Sequence, residues 1–312
     1  MTEPDEDHYS MIASAMREGE VVPFLGAGID VVSRPLGQAW SIGRYLPSGN
    51  ELAAYLASTF DYPPTEQQDL LRVCQYVDVV TGSGRLYEEL HRLYDADYPP
   101  NPLHKLLARF PRLVRNGRAS QHQLIVTTSY DDALERAFVA AGEEFDLVSY
   151  VAEGEYRGRF RHVRPDGEVK LIDRANEYGT LSLSERPVIL KIHGAVDRSD
   201  PERDSYVITE DHYIDYLTRT DISNLIPVTL VAKLRRSHFL FFGYSLREWN
   251  LRVILSRIWG QQALVYRSWA LQPTVQPHDE EFWGRRGVDI LAVTLEEYTV
   301  ALSDQLDLEP PM

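Results

Sequence analysis

Short apolar runs recur along this chain, each closed by a small or polar turn and followed by residues at helical spacing. Val21-Val22-Pro23-Phe24-Leu25 ends in Gly26-Ala27-Gly28, and Leu124-Ile125-Val126-Thr127 leads into Thr128-Ser129-Tyr130-Asp131-Asp132. Val188-Ile189-Leu190-Lys191-Ile192 ends in His193-Gly194, and His238 to Phe242 ends in Gly243-Tyr244-Ser245. Runs of this length with no polar alternation are strands buried on both faces, and helices between them supply the cover. The pattern predicts an α/β fold with an open, mostly parallel sheet. Sheets of that kind bind ligands outside the carboxyl ends of their strands.

Between Ser48 and Phe110 the pattern turns helical. Ser48 and Glu51 have capping-box spacing ahead of Leu52 to Leu56. Further helices are predicted from Glu66 to about Val80, from Gly84 to Tyr94 and from Pro102 to Phe110, with Pro63-Pro64 and Pro99-Pro100 between them. This reads as a helical module inserted after the first strand, its Tyr55, Tyr76, Tyr87 and Tyr94 serving as core. An earlier helix runs through Met11 and Met16 to Gly19, and another from Asp131 to Ala141 stops at Gly142. Glu153 to Arg186 is rich in glycine and charge, and reads as a long loop or an excursion with short strands. The remainder predicts helix at 210–217, 225–236, 246–259, 279–285 and 295–306, and strand at 268–271 and 288–293.

Charge and cysteine content narrow the function classes. With 32 Lys and Arg against 47 Asp and Glu, the 312-residue chain has a formal net charge of -15. It lacks the basic footprint that replaces phosphate counterions, so direct nucleic-acid binding is not expected. The single cysteine, Cys74, forms no internal disulfide and no zinc site built on several cysteines. The acidic first residues have no apolar signal-peptide region, and no apolar run approaches the roughly 18 residues of a membrane span. A cytoplasmic protein with no membrane contact is expected.

The strand ends carry the candidate site. Gly26 and Gly28 allow a tight turn and close backbone approach to a ligand, although Val31 replaces the last glycine of the dinucleotide fingerprint. Ser129 and Asp132 have N-cap spacing, so Ser129 reads either as a helix cap or as part of a ligand site at a helix N-terminus. Ser245 and Glu248 repeat that spacing after Gly243. His193 closes a buried strand on the same predicted edge, with an intrinsic pKa suited to proton transfer. His104, on an amphipathic stretch, reads as structural.

Taken in order, Gly26-Ala27-Gly28, Thr127-Thr128-Ser129-Tyr130-Asp131, Lys191-Ile192-His193-Gly194 and Gly243-Tyr244-Ser245-Leu246 resemble the four strand-end motifs of the sirtuin family. The likeness covers roughly residues 20 to 300. Asp69 to Gln75 and Gly243 to Arg252 look like the zinc-less bacterial sirtuin-like proteins of antiphage defence. The resemblance implies a Rossmann-like, doubly wound core formed by residues 1–40 and 118–312, with 41–117 as the inserted helical module. It implies NAD as substrate without zinc, hydrolysed to nicotinamide and ADP-ribose so as to deplete an infected cell. It further implies a homo-oligomer working with a sensor or ATPase partner.

By the same resemblance, Gly26, Ala27 and Gly28 would cradle the pyrophosphate, with Asp30 and Thr128 beside them. Asp131 would contact the nicotinamide carboxamide. Gly243, Tyr244 and Ser245 would hold the adenosine side, and His193 would activate a hydroxyl or water. The chain departs from the family at two positions, with Ser129 where an asparagine is usual and Asp30 where a serine is common. A variant of low activity, an inactivated form and an active enzyme using Ser129 or Asp132 differently all fit that departure. Two rival readings are a module that senses NAD or ADP-ribose for a partner, and a protein deacylase.

Overall fold

The computed structural model describes residues 3–32, 34–35, 37–64, 69–218, 226–244, 255 and 266–308. The strands are β1 (Val21–Leu25), β2 (Leu124–Thr127), β3 (Asp146–Tyr150), β4 (Phe160–Val163), β5 (Val169–Ile172), β6 (Val188–Lys191), β7 (His238–Phe242), β8 (Ser268–Gln272) and β9 (Val288–Ala292). Among the described residues they form one nine-stranded sheet in the order β5-β4-β3-β6-β2-β1-β7-β8-β9. From β3 to β9 every pairing is parallel, and β4 and β5 extend the β3 edge antiparallel. The run β6-β2-β1-β7-β8-β9 has the winding of a Rossmann sheet, in which the order reverses direction at the first strand.

The helices are α1 (Glu6–Arg17), α2 (Ile29–Val32), α3 (Gly49–Thr59), α4 (Leu70–Thr81), α5 (Ser83–Tyr94), α6 (Pro102–Arg109), α7 (Pro111–Arg115), α8 (Ala133–Ala141), α9 (Glu210–Thr218), α10 (Val228–Arg235), α11 (Pro277–Gly284) and α12 (Leu295–Gln305). Alternate strand residues serve two cores, as the period of two requires. Val22 and Phe24 of β1 join Leu230 and Leu234 of α10 and Trp283 of α11 on one face. Val21 and Leu25 join Ile12 of α1, Phe138 of α8 and Leu302 of α12 on the other. The helix predicted at 246–259 lies outside the described residues except for Leu255, which is buried in the first core.

Helices α3, α4 and α5 close around a third core that includes Leu52, Leu56, Val73, Cys74, Val77 and Leu90. The Ser48–Glu51 capping box forms at the start of α3. Tyr94 is buried, and Tyr55, Tyr76 and Tyr87 pack partly buried against this cluster, inside the module. Helix α6 lies within the span 41–117 but contributes Leu103, Leu106 and Leu107 to the sheet core. A tyrosine cluster joins the two regions: Tyr130 lies 5.4 Å from both Tyr94 and Tyr206, ring centre to ring centre.

One feature differs from the sequence reading. Strand β3 has no counterpart in it, because Asp146 interrupts the apolar run. In the fold Asp146 is buried beside His162 Nε2, 2.9 Å away, and accepts from Arg186 at 3.4 Å, which makes burial of the carboxylate tolerable. The excursion after it supplies β4 and β5, a hairpin added to the sheet edge. No helix among the described residues is long and apolar enough to cross a membrane. No group of three or more His, Cys, Asp or Glu among them is placed to hold a metal.

Candidate active site at the reversal of strand order

The sheet winds outward in both directions from β1, with β2 on one side and β7 on the other. Connections leaving in opposite directions open a crevice above the carboxyl ends of these strands. A cavity of about 560 Å³ fills it, inside the span of about 300–1,000 Å³ usual for small-molecule sites. Ala27, Gly28 and Asp30 line it after β1, Thr128, Ser129, Tyr130 and Asp131 after β2, His193 after β6, and Gly243 with Tyr244 after β7. Residues from Ala27 to Tyr244, far apart in the chain, thus share one wall. Gly26 sits beneath the lining, and Ser245 lies outside the described residues.

The glycines here let two turns pass each other. Gly28 N–H donates to Gly243 O at 3.1 Å, and a Cβ on Gly28 would come within 2.5 Å of that oxygen. With its N–H engaged, Gly28 offers a ligand close approach rather than a donor. Gly243 has φ +69°, and a Cβ on it would meet Ile29 N at 2.4 Å. Gly243→Ala is therefore expected to cost about 1–3 kcal/mol from the left-handed backbone alone, more from the clash, and to weaken nucleotide binding. Chemical denaturation and a binding titration would check both parts.

Ser129 does not cap the helix that follows. Asp131 Oδ1 accepts from Ala133 N–H at 2.8 Å and closes the turn instead. Ser129 N–H donates to Thr127 Oγ1 at 3.0 Å, which leaves its hydroxyl to point across the cavity floor toward Asp30 Oδ2, 3.5 Å away. That distance is at the outer edge of hydrogen-bond range. Asp132 faces away and pairs with Arg198 and Arg136. Burial, and then the neighbouring Asp131, push the Asp30 carboxyl well above the ordinary range, against the opposing field of Lys191.

His193 is buried, and desolvation pushes its pKa down to about 3. The ring is therefore neutral near pH 7. Its Nδ1 lies 3.4 Å from the Tyr213 hydroxyl, and its Nε2 is buried with no hydrogen-bond partner. An orphaned ring nitrogen in a cavity wall is a place for a ligand hydroxyl, which can donate to it or accept from it. Gly194 behind it (φ +89°) fits where a Cβ would lie 2.1 Å from Ser205 O. His104 is buried in the α6 layer away from the cavity, as its amphipathic position suggests.

Several cavity residues have no site role in the sequence reading. Leu46 to Asn50 and Leu52, at the start of α3, and Asp69 to Leu71, at the start of α4, lie across the opening from the strand ends. Lys191, quoted there only as part of a motif, is 1% exposed. Its ammonium donates to Asp131 O and, at 2.7 Å, to Glu135 Oε1. It thereby ties the turn after β2 to the strand that bears His193.

Comparison with known proteins agrees with this architecture. The family of SIR2-like domains matches residues 123–291. Among curated proteins, the NAD(+) hydrolase ThsA of Acinetobacter baumannii is 28% identical over 79% of this chain and 41% of its own length. Defense-associated sirtuin 2 of Bacillus subtilis is 25% identical over 78% of this chain and 20% of its own. The NAD(+) hydrolase ThsA of Enterococcus faecium is 24% identical over 85% and 44%. The chain thus spans less than half the length of these relatives.

Proposed function

Since the chain belongs to the family of SIR2-like domains, we propose that it hydrolyses NAD to nicotinamide and ADP-ribose as the effector of a bacterial antiphage system. One observation carries the reading. The turns after β1, β2, β6 and β7, which the sequence singles out separately, converge on one cavity at the reversal of strand order. The names of the relatives, NAD(+) hydrolase and defense-associated sirtuin, support both the substrate and the setting.

In this reading the pyrophosphate lies over Ala27 and Gly28, with Gly26 keeping the turn low and Thr128 alongside. Gly243 and Tyr244 hold the adenosine side together with Ser245. Asp131 contacts the nicotinamide carboxamide, and the neutral His193 accepts a ribose hydroxyl at Nε2. Breaking the bond between nicotinamide and ribose builds positive charge on the sugar, which carboxylates preorganised in the cavity wall stabilise. Chemistry without zinc is part of the proposal. The division into a sheet core of 1–40 and 118–312 and a helical module of 41–117, the homo-oligomer and the sensor or ATPase partner belong to the same proposal, as does a cytoplasmic location.

Incubating the purified protein with NAD and resolving the products by chromatography tests the reading. Equal amounts of nicotinamide and ADP-ribose are expected. Tight binding with NAD recovered intact would instead support the nucleotide-sensing alternative, which the short Ser129 side chain favours.

A further inference from the structure

The two positions at which this chain departs from the sirtuin pattern, 30 and 129, face each other in the fold. Ser129 Oγ points at Asp30 Oδ2 across 3.5 Å, although 99 residues separate them in the chain. From this juxtaposition we propose that Asp30 is a catalytic residue, its carboxylate taking the proton of the attacking water, with Ser129 as the positioning residue that aims it. The proposal rests on the NAD-hydrolysis reading and assigns the base within it.

The neighbouring carboxylates each spend one oxygen on a helix N-terminus. Asp131 Oδ1 holds the Ala133 N–H, and Asp69 Oδ1 accepts from Leu71 and Arg72 N–H at 3.1 and 3.3 Å, capping α4. Asp30 also lines the cavity, and among the described residues it makes no ion pair. Its partner is a buried hydroxyl on a turn fixed by Thr127. A serine supplies a single donor, so one such contact orients the carboxylate and leaves acceptor sites open to water.

Electrostatics separate Asp30 from His193. Burial and Asp131 raise the Asp30 carboxyl well above its ordinary value and so strengthen it as a base, while burial lowers His193 to about 3 and weakens it. In the step itself, the C1′–N1 bond breaks and its electron pair goes to the pyridinium nitrogen, which leaves as neutral nicotinamide. A water oxygen bonds to C1′, and one water proton passes to Asp30 and then to solvent. Water and NAD are the only reactants.

Asp30→Asn keeps the size and the contact to Ser129, and it removes a charge held beside Asp131. Nicotinamide release is expected to fall about 100-fold or more, with NAD affinity within threefold of the wild type and a raised Tm. Ser129→Ala is expected to lose about tenfold and to move the acid limb of the kcat/KM profile to higher pH. The sign follows because the lost donor favoured the ionised carboxyl, while Asp131, Lys191, Tyr94 and His193 stay in place around it. Wild-type turnover matched within threefold by Asp30→Asn would overturn this assignment and leave the hydrolase reading intact. A wild type that releases no nicotinamide would overturn both. A tenfold gain in Ser129→Asn would also overturn it, by showing that the amide is the missing group.

Discussion

Lys191→Met is expected to destabilise the protein by about 3–5 kcal/mol, the usual penalty for removing one member of a buried ion pair. Methionine fills similar space, so the loss is electrostatic rather than a cavity effect. Lys191 is 1% exposed at the end of β6, and its ammonium donates to Glu135 Oε1 at 2.7 Å and to Asp131 O. The other Glu135 oxygen is buried with no partner. Without Lys191 the carboxylate is left in a dry site with nothing to balance it.

Urea unfolding measures the penalty, and pH tests its origin. Burial already raises the Glu135 pKa above its ordinary value. Stability associated with a raised carboxyl is present at low pH and lost as pH rises through the folded-state value. The Lys191→Met deficit should therefore be smaller at pH 5 than at pH 8. The double variant Lys191→Met/Glu135→Leu should recover most of the stability, because a well-packed apolar pair often replaces a buried ion pair without loss. It should not recover turnover, since Asp131 O still lacks its donor and the turn bearing Ser129 is loosened.

The second large effect is on chemistry. His193→Ala is expected to lower nicotinamide release by a factor of about 10², as loss of the group that holds the ribose hydroxyl misplaces the sugar. NAD affinity should change little, because an acceptor that acts on a developing charge contributes in the transition state. The fold should tolerate the change: the Nε2 removed has no partner, and the Nδ1 contact to Tyr213 is long at 3.4 Å. Steady-state kinetics beside a thermal melt separates the two effects. A large loss of Tm with unchanged turnover per folded molecule would make His193 a packing residue.

The chemistry-bearing turns were legible because their signals are local. An apolar run, a glycine and a cap residue occupy a few consecutive positions, and the Ser48–Glu51 capping box and the stop at Gly142 follow from the same kind of signal. What escaped depends on partners far away in sequence. Asp146 disguises β3 until His162 is found beside it. Ser129 has the spacing of a cap, yet Asp131 reaches the helix N–H first, because Thr127 and Asp30 claim the serine.

Strand order is likewise silent in the chain. Nothing local places β7 beside β1, and that single adjacency turns separate strand ends into one cavity. The helices opposite them illustrate a middle case. Asp69 to Gln75 carries a family likeness in sequence, and its first residues line the cavity, but only the fold shows what they face. Helix α6 reads as a further piece of the inserted module by proximity, while its leucines belong to the sheet core.

The crevice between β1 and β7 is the proposed nucleotide site. A crystal structure of the protein soaked with ADP-ribose tests it most directly. The account predicts the diphosphate against Ala27 and Gly28, with the ribose freed of nicotinamide near His193, Ser129 and Asp30. A second cavity of about 590 Å³ lies beside Arg161 and Glu135, at the β3–β4 edge of the sheet. ADP-ribose bound there, with the crevice between β1 and β7 left to solvent, would contradict the account.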